Sequence, residues 1–429
     1  MNLAPRPPYS TVDFKALTKK DPKFKIAWQM CAGKLDFQDP ETIKVLSKAI
    51  LRADFGLQLE VPDDRLCPPI PNRWNYVSWI QGLIDSTCPV VSNVYEPHRA
   101  VVGLDIGAGA SAIYTMLCLQ SRPAWTMCAT DIDKKSFESA AQNLALNNLM
   151  TRTKLLQTTQ LNALIPMQAL GVNHLDFTMC NPPFFTDSSD MSASLKSEGK
   201  SWKPNAVCTG AEVEMVCNGG DLGFVTKIVN ESLVLKEKVQ WYSSMLGKMS
   251  SAKAIIDLLK KHGITNWAVG VVDTGSSTKR WVVAWSFGDL RPRNSIARLD
   301  TIANEYLPFP TSYIIHLPST IMPTAAKQTI NTQLLSLDLR WNWDSETSTG
   351  IGEASQNVWG RAYRRAYERQ KKENTNMTDG EDTLNIELAF RIKVIDLASE
   401  IELQWLRGKD QVLWESFCGL IHRHFKKSG

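Results

Sequence analysis

The sequence predicts a doubly wound, Rossmann-like α/β domain of seven strands, with a basic extension before it and a smaller α+β unit after it. Three observations support this fold. Short apolar runs alternate with amphipathic stretches from Val101 onward, a glycine turn follows the first run, and the pattern changes after a proline-rich stretch. We therefore expect an N-terminal extension over 1–95, the α/β domain over 96–290, a linker over 291–322 and the α+β unit over 323–429.

The elements of the α/β domain follow from the apolar runs and the amphipathic stretches between them. The adjacent runs WAVGVVDTG and KRWVVAWSF suit a sheet whose last strand inserts antiparallel. The predicted strands are 101–106, 125–130, 152–157, 174–180, 239–247, 265–272 and 280–288. The predicted helices are near 110–119, 134–147, 222–236 and 251–262.

The C-terminal unit shows the alternating pattern of half-buried antiparallel strands. These alternating segments are 335–343, 384–394 and 401–405, with a short helix near 323–333 before them and an amphipathic helix near 409–426 after them. The polar stretches 344–357 and 373–383 are predicted to be loops.

Composition excludes several classes of protein. Hydrophobic residues make up 43% and charged residues 21%, and no apolar run reaches the roughly 20 residues of a membrane span, so we expect a globular chain with no membrane partner. The first ten residues lack the apolar stretch of a secretory signal, which predicts a reducing compartment. The nine cysteines form no CxxC pair, which argues against disulfides and a metal site. Cys128 and Cys180 are expected in the core.

The N-terminal extension is basic, because six lysines and arginines in the first thirty residues face only two aspartates. Charge alone leaves two interpretations open, a solvated tail and a phosphate-binding arm. The candidate RNA-binding residues of this arm are Lys15, Lys19, Lys20, Lys23 and Lys25.

The glycine turn is the first functional motif. In VVGLDIGAGAS, Gly107 and Gly109 follow a strand and open a helix, so the backbone can approach a ligand closely. With Ala112 the pattern also satisfies GxGxxA, which leaves a dinucleotide-binding fold as an alternative. Asp105, two residues before the first glycine, favours a class I methyltransferase motif with S-adenosylmethionine as cofactor.

Two acids follow the second strand, in ATDID. A carboxylate at the end of this strand can accept both ribose hydroxyls of an adenosine-containing cofactor. Asp131 is the candidate because it lies at the end of the strand, whereas Asp133 is placed to cap the next helix. The alternative is that both acids only cap the start of the next helix.

The motif CNPPFF follows the fourth strand and points to methylation of a conjugated amino group. Such a nitrogen is a poor nucleophile until acceptors on its two N–H groups return electron density to it and aim it at the methyl group. The Asn181 side chain and the Pro182 carbonyl can be those acceptors, while Pro183 restricts the backbone and Phe184 stacks on the base. Outside this context the motif could be a proline turn.

Residues 20 to 290 resemble the eukaryotic methyltransferase-like sixteen family, which methylates adenine N6 in U6 small nuclear RNA, and more remotely a bacterial ribosomal-RNA adenine methyltransferase. The matching stretches are FQDPETIKVLSKAILRADFGL, PNRWNYVSWIQGLI, GLDIGAGAS, ATDID, CNPPFF, WYSSMLGK and RWVVAWSF. The resemblance implies that Asn181, Pro182, Pro183 and Phe184 form the catalytic tetrad and that Arg73 helps to hold the cofactor carboxylate. It also implies a target adenine in an ACAGA-type sequence.

Two features depart from this family or add to it. The acid after the second strand is often Glu in the family, whereas this chain has Asp131. The insert from Thr186 to Gly210 contains lysines, among them the RNA-binding candidate Lys203, and is either a lid over the target base or a plain loop.

The segment VWGRAYRRAYER after the linker interleaves aromatic residues and arginines. On a strand, alternate residues from Trp359 to Tyr367 would share a face suited to stacking on RNA; on a helix, the aromatics would form a core stripe with solvated arginines. Arg361, Arg364 and Arg365 are the RNA-binding candidates. The inferred order of a helix, four strands and a helix resembles a kinase-associated-1-like module.

The function predicted is therefore methylation of adenine N6 in structured RNA by a monomeric enzyme of the nucleus, with the cytoplasm as a second location. The alternatives are a protein-glutamine methyltransferase, whose motif normally carries Tyr where this chain has Phe184, and a catalytically silent RNA-binding protein on the same scaffold.

Overall fold

The computed structural model describes residues 6–37, 39–88, 96–187, 211–273, 279–299, 310–373 and 385–426. These residues form two compact units. The first contains the described parts of Met1–Asp85, Val94–Gly288 and Arg298–Tyr306, and the second those of Ser86–Asn93, Asp289–Ala297 and Leu307–Gly429.

The first unit begins with four helices, which lie within the predicted N-terminal extension. The side chains of Asp13, Asp21 and Asp39 cap the first three of them by accepting hydrogen bonds from backbone amides, and proline opens the second and the third. These helices are α1 (Phe14–Lys20), α2 (Pro22–Met30), α3 (Pro40–Ile50) and α4 (Ile70–Ser86), with a π-helical turn at Leu51–Phe55.

The sheet of the first unit confirms the predicted seven strands, with ends that differ by two residues or fewer. They are β1 (Val101–Ile106), β2 (Trp125–Asp131), β3 (Thr153–Gln157), β4 (Leu175–Cys180), β5 (Val239–Leu246), β6 (Asn266–Val272) and β7 (Arg280–Ser286). The helices between them are α5 (Ile113–Ser121), α6 (Lys134–Leu146), α7 (Glu212–Met215), α8 (Gly220–Leu235) and α9 (Met249–Lys261).

The strand order places the functional motifs next to each other. The order is β3-β2-β1-β4-β5-β7-β6, in which β7 runs antiparallel to the other strands of this sheet. Strands β1, β2 and β4 are adjacent and parallel, so the segments that follow them meet at one edge of the sheet. Ligands of doubly wound sheets bind at this edge.

The second unit is α+β, as predicted, but its sheet has five antiparallel strands in the order β8-β12-β11-β10-β9. Its core lies between that sheet and helices and includes Ile330, Phe390, Trp405 and Phe417. Its elements are α10 (Asn294–Ala297), β8 (Ser312–His316), α11 (Pro323–Leu335), β9 (Arg340–Asp344), β10 (Thr349–Ala354), α12 (Arg361–Glu373), β11 (Leu388–Ile395), β12 (Glu400–Arg407) and α13 (Gln411–Phe425).

Three expectations about the second unit are wrong. The linker predicted over 291–322 contains α10 and the edge strand β8, and the loop predicted over 344–357 contains β10. The order of a helix, four strands and a helix is replaced by five strands and the helices among them.

The segment from Arg361 had two interpretations, a strand and a helix, and the structure shows the helix. Ala, Arg, Gln and Lys favour helix, and no β-branched residue opposes them.

Candidate functional site

The turn after β1 leaves the backbone open at the carboxyl edge of the sheet. Gly107 and Gly109 have φ of +71° and +63°, a region that residues with a side chain rarely adopt. A Cβ built at Gly107 would meet nothing within 4 Å. The Gly109 amide donates to Oδ2 of Asp131 over 2.8 Å, so the last residue of β2 holds the turn in shape.

Asp105 is a buried acceptor under this turn. Its Oδ2 accepts from the Thr115 amide at 3.3 Å and from the Thr115 hydroxyl at 3.0 Å, whereas Oδ1 has no hydrogen-bond partner among the described residues. Burial raises the pKa of Asp105 to about 7. A cationic group bound beside Oδ1 would relieve this cost.

The two acids after β2 have different positions. Asp131 lies at the end of the strand, its Oδ1 accepts from the Asp133 amide at 2.9 Å, and burial raises its pKa. Asp133 caps α6 by accepting from the Ser136 amide and forms an ion pair of 2.8 Å with Arg65. The prediction that Asp133 caps the helix is therefore confirmed, and Asp131 is the acid left at the edge of the sheet.

Arg73 extends from α4 to the helix that follows the glycine turn. The guanidinium donates to the Tyr114 hydroxyl at 3.0 Å and lies 5.5 Å from the centre of that ring. Its charge also acts to lower the pKa of Asp105, against the larger effect of burial. Arg73 is 7% exposed, so it is not an ordinary surface arginine, and its role in holding the cofactor carboxylate stays a prediction.

Asn181 follows β4 and presents a second buried acceptor. Its Oδ1 has no hydrogen-bond partner among the described residues. The backbone just before it is held by Tyr76 of α4, whose hydroxyl accepts from the Cys180 amide at 3.4 Å and bonds Ser243 at 2.8 Å. The same helix thus supplies both Arg73 and a support for Asn181.

Phe184 is held on several sides. The Phe185 backbone next to it pairs with Val216, and the guanidinium carbon of Arg280 lies 5.3 Å from the centre of the Phe184 ring. Sequence analysis did not single out Arg280, although it opens the stretch RWVVAWSF. Its place on an aromatic face marks it as a further candidate for base or phosphate contact.

Glu214 of α7 is a third acid near the glycine turn, and no motif pointed to it. Its carboxylate accepts from the amides of Leu66 and Ala211, and Oε1 lies 3.7 Å from where a Cβ on Gly109 would be. Burial raises its pKa. Asp105, Asp131 and Glu214 together favour a positively charged ligand beside the turn.

The predicted basic residues of the first unit are exposed on α1 and α2, and they are Lys15, Lys19, Lys20, Lys23 and Lys25. Lys20 forms an ion pair with Asp54 at 3.1 Å. The preceding segment is not a solvated tail from residue 6 onward, because the Tyr9 amide donates to Asn75 at 2.7 Å and Pro7 accepts from Trp74 at 2.9 Å.

In the second unit, Arg361, Arg364 and Arg365 are exposed on α12. Trp359 is buried and donates to Ser416 at 3.0 Å, while the rings of Tyr363 and Tyr367 stack at 6.0 Å. The helix therefore has solvated arginines beside an aromatic stripe.

Three further points concern cysteines, metals and membranes. Cys128 and Cys180 are core residues, each 1% exposed. Lys203 and most of the insert lie outside the described residues. In the parts of the chain that the structure describes, no cluster of His, Cys, Asp or Glu could hold a metal ion, and no helix is both long and apolar enough to cross a membrane.

Comparison with known proteins finds similarity to RNA methyltransferases. The model of a family described as RNA methyltransferase matches residues 2–289. The Schizosaccharomyces pombe protein named U6 small nuclear RNA (adenine-(43)-N(6))-methyltransferase is 34% identical over 393 residues, which cover 91% of this chain and 95% of that protein. The chain spans about half the length of its human relative METTL16, of which it covers 49%.

Two solved structures resemble the chain at similar identity. The human METTL16 catalytic domain in complex with hairpin 6 of the MAT2A 3'UTR has a TM-score of 0.55 and 34% identity, over 65% of this chain and 94% of that one. The N-terminal domain of human METTL16 in complex with SAH has a TM-score of 0.51 and 33% identity, over 65% and 95%.

Proposed function

The chain belongs to the RNA methyltransferase family whose model covers residues 2–289, and on that premise we propose that it methylates the exocyclic N6 of an adenine in structured RNA. The first candidate substrate is an ACAGA-type site in U6 small nuclear RNA, since the fission yeast relative is named for a U6 adenine. We extend the proposal to a monomer that acts in the nucleus.

The observation that carries the proposal is the unpartnered Oδ1 of Asn181 at the edge of the sheet. An acceptor buried without a donor costs roughly 1–3 kcal/mol, which a bound N–H group recovers. Asn181 Oδ1 and the Pro182 carbonyl accept from the adenine amino group and direct its lone pair, and Phe184 stacks on the ring. The ammonium formed by methylation loses its proton readily, so no strong base is required.

The residues around the glycine turn fit S-adenosylmethionine, which supplies an activated methyl group when bound. The free Oδ1 of Asp105 suits its amino group, Arg73 suits its carboxylate, and Asp131 suits its ribose hydroxyls. The open space at Gly107 lets the backbone approach the ligand.

Two synthetic hairpins test the substrate. The first carries the intact ACAGA sequence, and in the second the target adenine of that sequence is replaced by uracil. The full-length chain with labelled cofactor is expected to methylate the first and leave the second unmodified. Equal labelling of both hairpins would exclude this sequence as the target.

Cofactor affinity is expected to rise with pH because of Asp105. Its pKa of about 7 means that the carboxyl is protonated in acid, whereas the cofactor ammonium favours the carboxylate. Calorimetry with S-adenosylhomocysteine from about pH 6 to about pH 8 is expected to show roughly tenfold tighter binding at the upper end. The Asp105→Asn variant is expected to bind weakly with no such slope, and a wild-type affinity that does not change with pH would contradict this role.

We propose that the second unit adds RNA affinity through the exposed arginines of α12. The double variant Arg361→Gln with Arg365→Gln is expected to bind long RNA more weakly, with a plot of log affinity against log salt that is shallower by about 1 to 2. Turnover at saturating RNA is expected to persist.

The matched control removes the same charge from side chains already paired with carboxylates, by Lys327→Gln with Arg340→Gln. This control is expected to change RNA affinity little. If both double variants bind RNA equally, the α12 arginines form only a solvated face.

A further inference from the structure

Two glycines contact Phe184 more closely than any residue with a side chain could. A Cβ built on Gly247, directly after β5, would lie 2.9 Å from Cδ1 of the Phe184 ring. A Cβ built on Gly220, the first residue of α8, would lie 2.9 Å from the Phe184 carbonyl oxygen. The ring of Phe184 is thus bounded by the loop after β5 and its backbone by the start of α8.

Asp221 connects these two segments. It follows Gly220 in α8, and its Oδ2 accepts from the Gly247 amide at 2.8 Å. Its Oδ1 accepts from the Ser251 hydroxyl at 2.9 Å and from the Leu222 amide at 2.7 Å. The carboxylate therefore sets the distance between the start of α8 and the loop from β5 to α9.

The chemistry of this carboxylate makes the connection stiff. Asp221 is 5% exposed and Ser251 is 6% exposed, so water does not screen the contact. Hydrogen bonds to a buried carboxylate are shorter and stronger than those between neutral groups. Removal of the carboxylate leaves the Gly247 amide and the Ser251 hydroxyl to find other partners.

We propose that Asp221 is a positioning residue for the target base. It fixes Gly247 against the Phe184 ring, and so sets the plane on which the adenine stacks, without touching the base or the cofactor. This inference rests on the proposed function, because it assumes that Phe184 stacks on the base that is methylated. A displacement of about 1 Å at a stacking platform can lower the rate about 10²-fold.

The test compares Asp221→Ala with Asp221→Asn and with Glu231→Ala in the full-length chain. Glu231 is a matched control, since it lies on the same helix and its carboxylate instead accepts from the amides of Leu164 and Ile165, at 2.8 and 2.9 Å. Three quantities are measured: kcat and KM for hairpin RNA, the affinity for S-adenosylhomocysteine, and the fluorescence of 2-aminopurine in place of the target adenine.

Asp221→Ala is expected to lower kcat about tenfold or more, to weaken the stacking quench of 2-aminopurine, and to leave cofactor affinity unchanged. Asp221→Asn keeps an acceptor for Gly247 and is expected to restore most of kcat. Glu231→Ala is expected to lower the melting temperature without changing kcat or the quench. If Asp221→Ala fails to fold, Ser251→Ala, which removes one of the three donors, is expected to show a smaller loss of the same kind.

Two outcomes overturn the inference: a kcat and quench in Asp221→Ala equal to wild type, or equal losses in Asp221→Ala and Glu231→Ala at equal loss of melting temperature. Failure of the proposed function gives a different result, because the wild-type chain would then methylate no adenine in the hairpin.

Discussion

Replacement of Asn181 by alanine is expected to lower methyl transfer about 10²-fold or more at saturating RNA and cofactor. The Asn181 acceptor is buried and unpartnered in the free protein, and its hydrogen bond to the amino group matters most as positive charge develops on the nitrogen. The loss therefore falls on kcat rather than on RNA affinity.

Single-turnover kinetics and RNA titrations of the same variant separate these effects. Unchanged affinities for RNA and for S-adenosylhomocysteine serve as the control that the variant is folded and binds both ligands. A variant that keeps more than about a tenth of wild-type turnover would contradict the mechanism.

Replacement of Asp131 by alanine is expected to weaken cofactor binding by about 1–3 kcal/mol, roughly 5- to 150-fold. The change removes the carboxylate that we propose as the acceptor for the ribose hydroxyls. It also removes the acceptor of the Gly109 amide, which shapes the glycine turn. Calorimetry with S-adenosylhomocysteine measures the loss.

Asp133→Asn is the matched control for this prediction. Asp133 lies two residues further along, and its cap on α6 and its ion pair with Arg65 contribute to stability. The control variant is expected to melt at a lower temperature with nearly unchanged cofactor affinity. If Asp133→Asn loses the affinity and Asp131→Ala does not, the ribose contact belongs to Asp133.

The α/β sheet could be predicted from sequence because its strands are buried runs with clear ends. The glycine turn follows β1, Asp131 ends β2, and Asn181 with a proline pair follows β4. Such ends are set by local chemistry, and the parallel order then brings the three motifs together without further information.

Strand β10 could not be predicted in this way. A Cβ on Gly350 would lie 2.1 Å from the Trp341 ring, and one on Gly352 would lie 2.2 Å from the Phe390 ring. These glycines are needed because aromatic rings of neighbouring strands pack over them. This is a requirement of tertiary packing, whereas in the sequence alone the two glycines resemble loop residues.

The same distinction applies to the site. Asn181 and Asp131 stand at the ends of strands and could be found by motif. Tyr76, Glu214 and Asp221 act through partners that are 104, 148 and 26 residues away in the chain, so no local pattern reveals them.

The central claim is tested most directly by identification of the modified atom. The full-length chain is incubated with methyl-labelled S-adenosylmethionine and total small RNA, and the RNA is then digested to nucleosides and separated beside synthetic standards. The account predicts that the label migrates with N6-methyladenosine and is lost in the Asn181→Ala variant. Label on a ribose, on another base or on protein would contradict it.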